Sequence, residues 1–364
     1  MRQGGLQLLA LGLMTAGFVV PPMGGSWLAR LLALLCAFVT LLGATLGLRR
    51  WDARAEGASD LIAVLVGAAV PLMLLEGPGP FGGAAPGLWL FLAGWVLLLW
   101  RMLSMFSRLP GGGAGALVAP ALFGVALLYL WQVLVVGFAV PQVLLPAPSQ
   151  VGHVLATQFD VFWLDFRQTF LKAVLAGYAI GCCAGFLVAV IADRVPFLGR
   201  GLLPLSGLAS AVPIVGIAPI LVMWFGFDWH SKAAVVVVVT FFPMLVNTLT
   251  GLAAADAMQR DLMHSYAASY AQTLVKLRLP AALPFVFNAM KINSTLALIA
   301  AIVAEFFGSP ILGLGFRISA EVARLNVDVV WAVIAIAALA GSMFYGVIAL
   351  VERAATFWHP SYRA

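Results

Sequence analysis

Long apolar runs, broken only by isolated charges, leave this chain one kind of solvent in which to fold. Of its 364 residues, 63% are aliphatic, aromatic, Met or Cys. Only 34 are charged (20 Lys and Arg plus 14 Asp and Glu), 9% of the chain, against about 25% in an ordinary soluble domain. A soluble fold of this length needs a charged skin that these residues cannot supply. The composition excludes a cytosolic enzyme, a nucleic-acid-binding domain and a disordered chain, and it demands lipid. A spanning helix needs about 20 mostly apolar residues.

Apolar runs between charge, Gly and Pro breaks predict ten spans, at 6–20, 27–48, 60–76, 87–107, 117–140, 168–192, 202–225, 233–252, 286–307 and 328–351. The first has one preceding charge, Arg2, and is followed by Pro21 and Pro22. We read it as a span rather than a signal peptide, because the next apolar run follows at once and no small-residue cleavage site stands out. The net charge of +6 is spread over single basic residues and short groups, the pattern of topology determinants rather than of a nucleic-acid surface. With the N-terminus inside, 14 of the 20 basic residues fall on the inner side and 6 on the outer, which predicts both termini inside. Cys36, Cys182 and Cys183 all lie in apolar runs without metal or redox spacing and read as buried spectators. The richness in Gly and Pro predicts close helix packing and broken helices.

The Gly-rich stretch 109–116 divides the chain into a four-span part, 1–110, and a six-span part, 111–364. The second part carries two polar interruptions. In 141–167, Ser149 is placed to cap a helix whose apolar positions recur at Val151, Leu155, Phe159 and Phe162 or Trp163. This predicts an interfacial amphipathic helix that seats the next span, with a docking surface as the sharper alternative. The second interruption, 254–285, is the longest polar stretch and lies inside by the charge count. It predicts two short helices and a run to about Leu279, ended by Pro280 and Pro284. Loops of that length in compact domains are usually functional.

The second interruption resembles the cytoplasmic coupling loop of ATP-binding-cassette importer permeases. That family's frame is Glu-Ala-Ala, Gly six residues after the Glu, a hydrophobic residue ten later, and Leu-Pro two and three beyond. Here it falls on Asp261, Ala267, Leu277, Leu279 and Pro280. Asp261 stands for the Glu and Ala267 for the Gly, which carries a steric penalty wherever φ must be positive. The stretch Leu144 to Val151, the group Trp224, Gly226, Ser231 and Lys232, the group Phe242, Pro243, Asn247, Leu249 and Gly251, and Ala304-Glu305 with Gly313 and Gly315 are similar, in order, to the nitrate/sulfonate/taurine branch. The resemblance covers about 117–357 and leaves 1–110 without a role.

The resemblance implies an all-α polytopic membrane protein of about ten transmembrane helices: a six-helix core like that of type I ABC importers, preceded by four extra helices. It implies a multi-pass protein of the bacterial inner membrane that is not itself an enzyme. Its partners would be ABC ATPase subunits, an extracytoplasmic solute-binding protein, a second permease copy and membrane lipid, with no nucleic acid. The implied cargo is a small solute such as a sulfonate, nitrate or a related anion. No phosphate-loop motif occurs and Gly-Lys is absent, so ATP and Mg would be held by the partner and no cofactor by this chain. Candidate ATPase-coupling residues are Asp261, Met263, His264, Tyr266, Ala267, Tyr270, Leu277, Leu279 and Pro280. Met263, Tyr266 and Tyr270 are plausible apolar anchors.

Polar groups at membrane depth are costly and often functional. Candidate pathway residues are Asn247, Asn288, Thr295 and Glu305, with Pro213 and Pro219 marking a broken helix over 211–220. Lys291 shares a helix face with Asn288 and Thr295 and is near enough to one surface to snorkel. Glu305 fits either a helix-end bond or a relay. An ion-coupled secondary transporter using Glu305 or Lys291 is the alternative, but it leaves the long inner loop unexplained. A scaffold or membrane enzyme has no support: the four His are dispersed, and neither paired carboxylates nor a metalloprotease motif occurs.

Overall fold

The computed structural model describes residues 9–16, 35, 61–71, 86–106, 118–211, 213–308 and 311–358. The Gly-rich stretch 109–116, Cys36, the two ends of the run expected at 6–20 and all but residue 35 of the run expected at 27–48 lie outside the described residues. Among the described residues, all regular structure is helical. Five helices there are long and apolar enough to cross a membrane. The chain separates into two compact units, Met1–Val151 and Gly152–Ala364.

The first unit contains α1 (9–16), α2 (Leu61–Pro71), α3 (Pro86–Phe106) and α4 (Val118–Gly137). Met14, Val64, Phe91, Trp95, Leu98 and Val133 share its buried cluster. Its aromatic rings are tethered by their polar ends. Trp95 Nε1 donates to the Val64 carbonyl at 2.8 Å and Tyr129 Oη to the Ala68 carbonyl at 2.7 Å. A buried indole or phenol keeps its apolar area only if its polar end finds such a partner.

Helix α5 (Pro148–Thr157) follows, then α6 (Phe159–Phe166), which runs through a π-helical turn at Arg167–Val174 into α7 (Leu175–Arg194). Ser149 does not cap α5 as expected. Its hydroxyl receives the Gln132 amide, while the Gln150 side chain accepts from the Ala147 N–H. The expected interfacial helix is divided: Val151 and Leu155 lie on the separate α5, whereas the part from Phe159 runs on into the next span as one 36-residue helix, Phe159–Arg194. The expected span 202–225 is two helices, α8 (Pro196–Ala211) and α9 (Ile214–Phe225). The break falls at Pro213, whose extended backbone starts α9, whereas Pro219 lies within α9. Next come α10 (Trp229–Ala253), α11 (Ala257–Ser265), the short α12 (Tyr270–Thr273), a second π-helical turn at Leu274–Arg278, and α13 (Leu279–Glu305). The chain ends in α14 (Leu314–Ala323) and α15 (Val327–Ala355).

Pro280 and Pro284 do not end a helix, contrary to expectation. Pro280 stands where the π turn passes into α13, so its missing N–H is lost only at a junction. The helix is continuous over 36 residues, Tyr270–Glu305. At 1.5 Å per residue it is about 54 Å long, against roughly 30 Å of hydrocarbon. The helix is therefore longer than the bilayer core is thick, and its Tyr270 end adjoins the polar segment.

Helix α10 packs along both α7 and α13. Small residues allow this. Gly177, Gly181 and Gly185 put the α7 backbone against α10, and a Cβ added at Gly181 would lie 2.0 Å from Thr240 Oγ1 and 2.9 Å from the Val237 carbonyl. In lipid, helices gain from such close van der Waals approach because burial alone drives nothing together. Asn293 of α13 locks the three helices: its Nδ2 donates to the Thr240 carbonyl at 2.7 Å and meets Cys182 Sγ at 3.3 Å. Cys182 is buried there, but Cys183, expected buried, is exposed on the surface of α7.

Candidate functional site

The polar segment begins where Asp256 caps α11, its carboxylate accepting from the Met258 N–H at 3.1 Å. Helix α11 buries none of its residues. Its apolar side is a stripe of exposed side chains, Met258, Leu262 and Tyr266, at 77%, 56% and 79% exposure. They recur every four residues and so share one face. Asp261 and His264 are also exposed, and Met263 is half-buried.

The turn after α11 uses Ala267 at φ 52°, the left-handed region. The Ala267 N–H donates to the His264 carbonyl at 2.9 Å and the Ala268 N–H to the Met263 carbonyl at 3.0 Å. This crossed pair closes the helix C-terminus and normally calls for Gly. Ser269 then starts α12 with a reciprocal capping box with Gln272. The turn is therefore specified from both sides, and Ala267 bears the strain. Ala267→Gly is expected to raise thermal stability by about 1 kcal/mol without altering transport, as read by unfolding of the purified chain.

Tyr270, Leu277, Leu279 and Pro280 are half-buried at the base of this segment. Tyr270 does not join the exposed stripe: its hydroxyl donates to Asp193 Oδ2 at 2.8 Å.

At the opposite end of the core, Glu305 is 2% exposed. Thr169 Oγ1 donates to Glu305 Oε1 at 2.8 Å, and the Gly315 N–H donates to Oε2 at 2.7 Å. Asp165 accepts from the Gly313 N–H at 2.8 Å and from Arg317 Nε at 2.8 Å. Thr169 Oγ1 accepts from the Leu314 N–H at 2.8 Å. Three successive N–H groups at the start of α14 thus meet three side chains from elsewhere in the fold. Helix starts leave such donors unpaired, and carboxylates satisfy them with favourable charge. Gly313 sits at φ 128°, and a Cβ there would fall 2.5 Å from Glu305 Oε1. Only glycine fits. Sequence reasoning singled out Glu305, Gly313 and Gly315 but missed Asp165, Thr169 and Arg317. The four-residue spacing of Asp165 and Thr169 was the available signal.

The remaining pathway candidates do not form a cluster with Glu305. Asn247 Nδ2 donates to its own helix at the Pro243 carbonyl, 2.8 Å away. Asn288 and Thr295 lie on an exposed face of α13 with Ile292 and Ile299. Lys291, expected to snorkel, instead pairs with Glu352 of α15 at 2.7 Å. No group of His, Cys, Asp and Glu suited to a metal occurs among the described residues.

Just outside α10, Asp228 accepts from the Trp229 N–H at 2.7 Å and from Gln168 Nε2 at 2.8 Å. The bond from Trp229 and then that from Gln168 hold its carboxyl below the usual carboxylate range. Its contribution is present above the unfolded-state value and is lost as pH falls through the lower, folded one. This cap is therefore retained in mildly acidic medium.

Residues 181–357 match the family model described as the binding-protein-dependent transport system inner membrane component. A probable ABC transporter permease protein of Haemophilus influenzae is 32% identical over 220 residues, covering 60% of this chain and 89% of the relative. The formylaminopyrimidine transport permease protein ThiX of Halalkalibacterium halodurans is 30% identical over 240 residues, 66% of this chain and 95% of the relative. The taurine transport system permease protein TauC of Escherichia coli is 27% identical over 241 residues, 64% and 86% of the two chains.

Proposed function

Because the chain belongs to the family of binding-protein-dependent transport inner-membrane components, the permease subunits of ABC transporters, we propose that it forms the pathway of an ATP-driven importer and couples to a separate ATPase through 254–285. Permeases of this family are multi-pass inner-membrane proteins and are not themselves enzymes. ATP hydrolysis sits in a separate subunit. The observation that carries the coupling role is the exposed stripe Met258, Leu262 and Tyr266 on α11 and its closing turn, next to the start of the 36-residue helix Tyr270–Glu305. A groove on an ATPase would bury it and gain the contact area that the isolated chain leaves in water. Asp261, one position before Leu262, is the exposed polar residue proposed to flank the stripe, whereas His264 is exposed on the other side of α11.

The proposed assembly is two copies of this chain with two ATPase chains, fed by an extracytoplasmic binding protein and working by alternating access. Residues 111–364 supply the six-span core. Residues 1–110 add four spans, for about ten in all, with both termini and the coupling loop cytoplasmic, as the basic residues favour. The cargo is a small solute, and we favour an anion such as a sulfonate or nitrate. Relatives named for taurine and for aliphatic sulfonates support that class. Asn288 and Thr295, on the exposed face of α13, and Asn247 are the polar groups proposed to meet it. ATP and Mg are held by the partner ATPase.

Single Asp substitutions at Met258 or Tyr266 are expected to lower recovery of the co-expressed ATPase with the affinity-tagged permease by tenfold or more, since burying one uncompensated carboxylate costs about 2–4 kcal/mol at such an interface. Equal recovery for both variants and the wild type would refute the stripe as the docking face. Uptake that persists without ATP and collapses with an uncoupler would refute the importer.

A further inference from the structure

The polar segment is attached to the core by one dense polar knot, and its members lie far apart in sequence. Arg278, the last residue of the second π turn, grips Asp193 with both ends of its guanidinium. Its Nη1 donates to Oδ2 at 2.7 Å and its Nη2 to Oδ1 at 2.6 Å. Its Nε donates to the carbonyl of Leu252 at 3.0 Å. Asp193 also accepts from the Tyr270 hydroxyl, and Arg194 lies over the Tyr270 ring at 4.5 Å. The side chains of Arg278 and Asp193 are only 15% and 13% exposed. One guanidinium thus binds the end of α7, the end of α10 and the start of α13.

We propose that Arg278, Asp193 and Tyr270 form a transmission joint that makes the coupling segment move as one body with α7 and α10. This rests on 254–285 being the ATPase-contacting loop. Helix α11 has no fully buried residue, so displacement at its tip reaches the core through its two ends, the short link 254–256 to α10 and the connection Tyr270–Arg278 to α13. That connection contains a π turn, whose widened backbone is a usual place for a helix to yield. Left alone, the turn absorbs the displacement. Clamped by a planar, bidentate guanidinium on its last residue, it passes the displacement to three core helices together. Arginine is needed: lysine offers a point charge and cannot hold two carboxylate oxygens and a carbonyl in one plane. Arg278, Asp193 and Tyr270 are positioning residues, and none has to touch solute or nucleotide.

The test uses the reconstituted permease–ATPase complex with its binding protein, and compares wild type, Arg278→Lys, Asp193→Asn and the exchanged pair Asp193→Arg/Arg278→Asp. For the single variants, the complex is expected to assemble and basal hydrolysis to hold, while stimulation by loaded binding protein and uptake fall about tenfold, within the usual range of coupling between sites. Amide exchange over 257–278 is expected to quicken in the same variants. The exchanged pair is expected to recover part of the stimulation. Single variants that assemble and couple like the wild type would overturn the joint while leaving the importer reading intact. A wild-type complex with no ATP-dependent uptake overturns both. Loss of assembly in the single variants that the exchange does not reverse also overturns the joint, since it marks a purely structural pair.

Discussion

Glu305→Ala is expected to lower the unfolding free energy of the core by about 3–5 kcal/mol, because it removes the acceptor for two buried donors and empties a site between packed helices. The Gly315 N–H and the Thr169 hydroxyl each lose a partner at under 3 Å. An orphaned buried donor costs about 1–3 kcal/mol, and more where the lost acceptor was charged. Glu305→Gln is expected to fall between: one oxygen is kept, but an amide now points its own N–H groups at a donor. Thermal unfolding in detergent, with α14 monitored by proteolysis, measures the series. The same series separates a clasp from a relay. A relay predicts that Glu305→Gln keeps its stability and loses proton-driven uptake. A clasp predicts that stability falls whatever the driving ion. Since both oxygens are already engaged by fixed donors, the clasp is the expected result.

Features of the fold carried by local spacing were legible before the coordinates. Leu279-Pro280 stands where the second π turn passes into α13, and Pro213 marks a real break between two helices. The Gly-Leu-Gly run after Glu305 is also local: Glu305 and Gly315 are ten residues apart and bonded. Contacts between distant residues were not legible. Gly313 and Asp165 stand 148 residues apart, and Arg278 and Asp193 stand 85 apart. Nothing in a single sequence pairs one acid with one base across such distances. The π turns at Arg167–Val174 and Leu274–Arg278 leave no hydropathy signal either. They joined helices that apolar runs alone separate. The exposed stripe is an intermediate case. Its four-residue period was readable, yet hydrophobic character alone favours Met263 and Tyr270 equally, and only burial and the Asp193 bond set them apart from Met258 and Leu262.

Gly181→Val tests whether this core is built on backbone contact rather than on bulk. The substituent would enter space held by Thr240 Oγ1 and the Val237 carbonyl. Neither can retreat cheaply. Thr240 is β-branched and its hydroxyl already bonds the Val236 carbonyl at 2.8 Å, while the Val237 oxygen belongs to the α10 backbone. Overpacking costs about 1–3 kcal/mol where a core can adjust. Here α7 and α10 must separate, so Asn293 also loses its hold on the Thr240 carbonyl, and a buried amide without that bond adds roughly 1–3 kcal/mol more. The summed loss, about 2–6 kcal/mol, is a large share of the roughly 5–15 kcal/mol that holds a typical domain folded. The expected outcome is a chain that inserts but does not run as a monodisperse species on size exclusion. Gly346→Ala is the matched control, since a Cβ there meets no atom within 4 Å. It is expected to be neutral or to stabilise by a few tenths of a kcal/mol, through reduced backbone freedom in the unfolded state. If Gly181→Val instead behaved like the control, the approach of α7 to α10 would be looser than the small-residue contact requires. The alignment of Thr240, Cys182 and Asn293 across three helices would then have no anchor.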